Sequence, residues 1–178
     1  MKSNLATVDH LGVLHVERVL SAPIDRVWAF LVEPEKRAAW LAGGTMADKP
    51  GGRIELRFDH VQLSGERAPA DANACHETHL AVSHLLRIEP PHLLAMSWDE
   101  GGPAESEVTF ELSAESARST LLRITHKRLP DRAQLLSHAS GWHTHLDALD
   151  DKLGERPPRS FWTNFAAHKA VYDNALPA

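Results

Sequence analysis

A single cysteine, Cys75, stands in 178 residues. An internal disulfide is therefore excluded, and the thiol content fits a reducing compartment. Aromatics are sparse at 6%, with one tyrosine. Lysine and arginine form no run and the formal net charge is -5, so nucleic acid and anionic membrane surfaces are poor partners. No apolar stretch approaches the roughly 20 residues that span a bilayer. The N-terminus, MKSNLATVDHLG, lacks the apolar core of a secretory signal. These absences predict a soluble, cytoplasmic protein. Chemistry is missing too. There is no Gly-x-Ser-x-Gly nucleophile turn. Gly43-Gly44 and Gly51-Gly52 lack the strand–loop–helix context of a phosphate cradle, and no pair of acids is placed for glycoside hydrolysis.

What is present is led by residues 131–154. Leu135, Ala139, Trp142, Leu146, Leu149 and Leu153 recur there at steps of four and three, which is one apolar stripe along an α-helix. Thr144 and Asp151 fall on the opposite side. Asp131 with Gln134 is a start signal; Gly154, followed by Pro157 and Pro158, is a stop. The helix would be ~35 Å long. Gly141 costs ~1 kcal/mol against alanine inside a helix, so either the helix restarts there with Ser140 as cap, or another backbone or a ligand comes close.

Upstream, the pattern has period two. Residues 13–20 put Leu14, Val16 and Leu20 on one side together with Arg18. Pro23 opens a helix burying Ile24, Val27, Trp28 and Leu31; Pro34 ends it and opens a short second helix through Trp40. Residues 53–58 turn Ile54, Leu56 and Phe58 to one face, and 59–75 read as a loop. Residues 76–89 form a strand with Leu80, Val82, Leu86 and Ile88 as inward positions, and 93–98 form another. Val108, Phe110 and Leu112 share a face of 105–112, as do Leu122, Ile124 and His126 of 119–127. A last helix over 160–176 spaces Phe161, Phe165, His168 and Tyr172 helically. Runs of strands with segregated helices mean an α+β fold. The chain divides into a loose leader (1–12), one domain (13–154) and a helical extension (155–178).

Twelve histidines are many for this length. His138 and His145 lie two turns apart on one flank of the long helix and His143 on the other, so the three do not converge on one metal from an unbroken helix. Cys75, His76, Glu77 and His79 are close in sequence, but no second cluster completes a site, and a solvated strand edge explains them. No metal and no cofactor is expected.

The ordered series SAPIDRVWAFLVEPEKRAAWL, GGRIELRF, LRIEPPHLLAMSWDEGG, EVTFELSAESARSTLLRITHKRLPD and GWHTHLDALDDKLG resembles the START-like, birch-pollen-allergen-like superfamily, and within it the branch of the activator of the heat-shock-protein-90 ATPase. The likeness covers roughly 13–154. It implies a helix-grip fold, in which a curved antiparallel sheet wraps around the long helix with an apolar cavity between them. Only 12 residues precede the first predicted strand, so the separate client-binding domain of the co-chaperone is not expected here.

Around the implied cavity the expected side chains are Trp40, Phe58, Trp98, Phe110 and Trp142, aromatic walls suited to a small apolar ligand, together with Leu146 and the polar His126, His138 and His145. For any one of these aromatics, plain core packing is the simpler account. His126, in step with Leu122 and Ile124, reads either as a pocket acid, base or donor to a ligand, or as a histidine satisfied by backbone at a strand end. The leading expectation is a protein that holds a small hydrophobic or aromatic molecule. The rivals are a cyclase- or hydrolase-like enzyme with His126 or His145 as base, and a chaperone-associated module whose contact surface is Phe161, Trp162, Phe165 and Tyr172. A homodimer is the expected assembly.

Overall fold

The computed structural model describes residues 5–10, 12–70, 78–98 and 106–176. Alternation sets the strands. In β2 (Leu14–Leu20) the residues Leu14, Val16, Arg18 and Leu20 are buried while Glu17 and Val19 face out. The same period of two places Ile54, Leu56 and Phe58 of β3 (Arg53–Asp59) inward, with Val108, Phe110 and Leu112 of β6 (Ser106–Ser116) and Leu122, Ile124 and His126 of β7 (Ser119–Lys127). With β1 (Thr7–Val8), β4 (Thr78–Glu89) and β5 (Leu93–Trp98), they make one antiparallel sheet in the order β1-β2-β7-β6-β5-β4-β3. The helices are α1 (Ile24–Val32), α2 (Pro34–Ala38), α3 (His60–Ser64), α4 (Arg132–Leu153) and α5 (Phe161–Ala175). The architecture is α+β, a curved sheet with C-terminal helices, consistent with a helix-grip. Among the described residues no helix is long and apolar enough to cross a membrane.

α4 begins where its cap requires. The Asp131 carboxylate accepts the Gln134 backbone N–H at 2.8 Å, which satisfies one of the free donors of the first turn. Twenty-two residues later Gly154 closes it. The helix runs unbroken through Gly141, so no restart occurs there.

Several expectations need correction. Thr144 and Asp151 are both 2% exposed, because α5 packs over the polar side of α4. Thr144 donates back to the Ser140 carbonyl at 2.7 Å, and Asp151 accepts from Arg156 and Arg159. The leader is not loose throughout: Thr7 and Val8 pair with β2, and the Ala6 N–H donates to the Tyr172 hydroxyl at 2.8 Å. The segment after β3 is not all loop, since Asp59 caps the short α3 through the Gln62 N–H. On β4, Leu80 and Leu86 are exposed and Ser83 and Leu85 are buried; an irregularity between Leu85 and Arg87 then shifts the register. Cys75, His76 and Glu77 lie outside the described residues.

Candidate ligand cavity

Small residues make the hollow. Leu56 of β3 pairs with Ala81, and Ile54 with Ser83, so two inward places on β4 carry a methyl and a hydroxymethyl beside the Leu and Ile of β3. Across the gap stands Gly141 of α4, where an added Cβ would meet nothing within 4 Å. The space left between helix and sheet is a cavity of ≈ 760 Å³, inside the roughly 300–1,000 Å³ range of small-molecule sites.

Its walls are aromatic. Trp98 from the end of β5 and Trp142 from the middle of α4 meet with ring centroids 5.0 Å apart, and Phe58 stands edge-on to Trp98 at 6.0 Å. His79 stacks on Phe58 at 4.4 Å with 9° between the planes. α5 contributes Phe161 and Phe165.

Four histidines line the space: His60, His79, His138 and His145. His145 is the most constrained. Its Nδ1 lies 2.7 Å from the Trp40 carbonyl oxygen. A carbonyl has no proton to give, so Nδ1–H donates and the neutral ring keeps its lone pair on Nε2. Burial, and then the neighbouring His60, push its pKa down to about 3, which keeps it neutral at pH 7. His138 likewise donates Nδ1–H to the Gln134 carbonyl at 2.8 Å.

Of the expected residues, then, the fold brings Phe58, Trp98, His138, Trp142 and His145 to one cavity. It does not bring Trp40, Phe110, His126 or Leu146 there. Trp40 is 0% exposed and donates Nε1–H to the Phe30 carbonyl at 2.8 Å; its role is to anchor His145 from behind. Phe110 packs edge-on to the far side of Trp142 at 5.5 Å. Leu146 is fully buried in the core. His126 accepts from Trp142 Nε1–H at 3.1 Å, and its Nε2–H faces Ser106 Oγ at 3.0 Å, whose own proton goes to the Trp98 carbonyl. Both ring nitrogens are committed, and burial pushes its pKa down to about 2. It is a satisfied core histidine that holds two wall tryptophans in place. The sequence reading missed His60 and His79. His60 lies on a helix too short to show a period, and His79 shares a face with Phe58 only once strands β3 and β4 are paired.

A sequence-family model for activator of Hsp90 ATPase homolog 1-like protein matches residues 21–154. The chain belongs to this family. No curated protein matches it. Among solved structures, a protein of Bordetella parapertussis encoded by the gene BPP1335 is 43% identical, with 97% of this chain and 90% of that chain covered and a TM-score of 0.80. CalU16 of Micromonospora echinospora is 22% identical over 96% of this chain and 93% of its own, with a TM-score of 0.68. EF2215 of Enterococcus faecalis, a protein of unknown function, is 15% identical over 98% and 93%, with a TM-score of 0.66. These last two share the fold.

The match to the activator of Hsp90 ATPase homolog 1-like family stops at Gly154, so α5 and its two cavity aromatics lie beyond the matched region. Arg159 and α5 are tied to the family core by a partly buried network of charges and histidines. Asp147 of α4 receives Arg18 Nη1 at 2.9 Å, Arg159 Nη1 at 3.1 Å and His168 Nε2 at 2.9 Å. Its pKa falls to about 2 even though burial opposes this, through hydrogen bonds from His168 and Arg18 and the charges of Arg18 and Arg159. His143 stacks on His168 at 3.9 Å and meets the Tyr172 hydroxyl at 2.9 Å. His143, Asp147 and His168 form the grouping closest to a metal site among the described residues. Two guanidinium groups already neutralise the aspartate, which makes it a poor cation ligand. Phe161, Trp162 and Tyr172 are buried against this chain itself, so they offer no exposed contact surface.

Proposed function

We propose that the chain binds a small apolar or aromatic molecule between α4 and the sheet. The observation that carries the reading is the ≈ 760 Å³ hollow with Phe58, Trp98 and Trp142 in its walls. A packed core closes such gaps, because interiors approach crystal density and a void forfeits dispersion contacts. A hollow kept open by Ala81, Ser83 and Gly141 fits a place held for a guest.

Turnover finds less support. General bases work best with a pKa near the operating pH. His126 has no free nitrogen, and His145, at about 3, holds an abstracted proton too weakly at pH 7. An uncharged hydrogen-bonding group is what these surroundings make of it.

Titration of intrinsic tryptophan fluorescence with naphthalene-, steroid- and acyl-chain-type ligands tests the reading, since Trp98 and Trp142 line the cavity. A saturable 1:1 change is expected. Absence of any saturable change across those classes would end the proposal.

A further inference from the structure

Among the described residues lining the cavity there is no lysine, arginine, aspartate or glutamate. A carboxylate or ammonium entering it would leave water without meeting any of these permanently charged groups, an unfavourable transfer.

Two buried residues of the lining nevertheless carry a side-chain atom without a partner among the described residues. Ser83 is among the residues lining the cavity, and its Oγ is fully buried and takes no hydrogen bond among the described residues. A buried hydroxyl left in this state is rare and calls for an explanation. His145 Nε2 is the other. Its ring proton is spent on the Trp40 carbonyl, and the remaining lone pair takes no hydrogen bond among the described residues. A lone pair is satisfied only by a donor, so an occupant that meets it directly brings an O–H or N–H; a hydroxymethyl such as that of Ser83 accepts or donates as required. Phe58, Trp98 and Trp142 pack edge-on or tilted against one another, an aromatic wall against which a planar ring can lie.

We propose that the cavity selects a neutral, planar aromatic molecule bearing a hydroxyl group, with His145 Nε2 and Ser83 Oγ as the two residues that set this preference. The inference rests on the binding reading above and narrows it. Fatty acids and aromatic carboxylates are disfavoured, although both would fit by volume.

The test uses four probes of nearly equal shape on the full chain: 2-naphthol, 2-methoxynaphthalene, naphthalene and 2-naphthoate, by isothermal titration calorimetry at pH 7.5. A net hydrogen bond contributes about 0.5–1.5 kcal/mol, so 2-naphthol is expected to bind about 2- to 10-fold tighter than its methyl ether, with 2-naphthoate weakest. Ser83→Ala removes the unmet hydroxyl at nearly constant shape. His145→Asn keeps an N–H for the Trp40 carbonyl and removes the Nε2 lone pair. The double variant is expected to bind 2-naphthol and its ether equally. Ser83→Ala alone should leave the unfolding midpoint unchanged or higher while weakening 2-naphthol, a split that a purely structural serine would not give. Equal binding of 2-naphthol and its ether by the unaltered protein, tightest binding of 2-naphthoate, or a preference that survives in the double variant overturns the proposal while the cavity remains a binding site. If none of the four probes binds, the broader reading falls with it.

Discussion

One half of the sheet is packed solid and the other is not, although the same helix lies over both. On β2, β7 and β6 the inward side chains Leu14, Val16, Leu20, Leu122, Ile124 and Val108 are 1% exposed or less. On β4 the corresponding places hold Ala81 and Ser83 and the chain leaves a hollow. The backbone is sheet in both halves, so the cavity arises from missing side-chain volume. Two buried histidines follow the same division. His126, in the solid half, has both nitrogens bonded; His145, at the hollow, has one bonded and one turned to space.

Acid should act on both halves at once and produce the largest effect. His126, His143 and His145 have folded-state pKa values pushed to about 2, about 4 and about 3, each below the ordinary 6.5. The unfolded chain therefore takes up protons first. Their contribution is intact above about pH 6.5 and is lost as the pH falls towards the folded values, at up to about 1.4 kcal/mol per pH unit for each histidine. Asp147, lowered to about 2, adds a loss in the same direction at more acid pH, below its ordinary 3.8. Against a total stability of roughly 5–15 kcal/mol, unfolding between about pH 4 and 6 is expected, checked by far-UV circular dichroism with urea at stepped pH. His145→Asn should flatten the slope by about one histidine's share. A flat profile from pH 7 to 4 would mean that the histidines are solvated.

Truncation of one phenylalanine in each half separates them directly. Phe110→Ala opens a void in close-packed surroundings and should cost about 3–5 kcal/mol. Phe58 already borders open space, so Phe58→Ala should cost about 1–2 kcal/mol, because less packing is lost where atoms are missing on one side. Its larger effect should be on ligand affinity. Equal costs in urea denaturation would show that the two halves are packed alike.

Sequence periodicity was informative on most strands and misleading on β4, for a physical reason. The residues 119–127 and 93–98 read from the sequence match β7 and β5 as observed, and the Asp131–Gln134 cap marks the start of α4, because in a filled core burial and hydrophobicity coincide. On β4 they do not. Leu80 and Leu86 carry the apolar signal but are 54% and 44% exposed, while Ser83 is 0% exposed. A strand that lines a cavity places small or polar residues inward, so hydrophobicity picks the wrong face, and the irregularity at Leu85/Arg87 adds a second change of phase. Thr144 and Asp151 mislead for a different reason: the cover that buries them, α5, comes later in the chain and binds by charge and histidine stacking, which leave no period. Local inconsistency between pattern and fold is expected where function overrides packing.

The smallest predicted effect is also the one that isolates the hollow most cleanly. Gly141 lies inside α4, where glycine is worth about 1 kcal/mol less than alanine, and an added methyl meets nothing within 4 Å. Gly141→Ala should therefore raise stability by up to about 1 kcal/mol, from helix propensity and reduced freedom of the unfolded chain, with no steric penalty to subtract. The same methyl is added at a residue that lines the cavity. Large rigid guests should then bind more weakly while small ones such as naphthalene are little affected. A gain in stability matched by a size-dependent loss of affinity requires room beside position 141 that a ligand uses. A loss of stability instead would mean that the room is taken by side chains, and that helix and sheet meet as closely here as they do over β2 and β7.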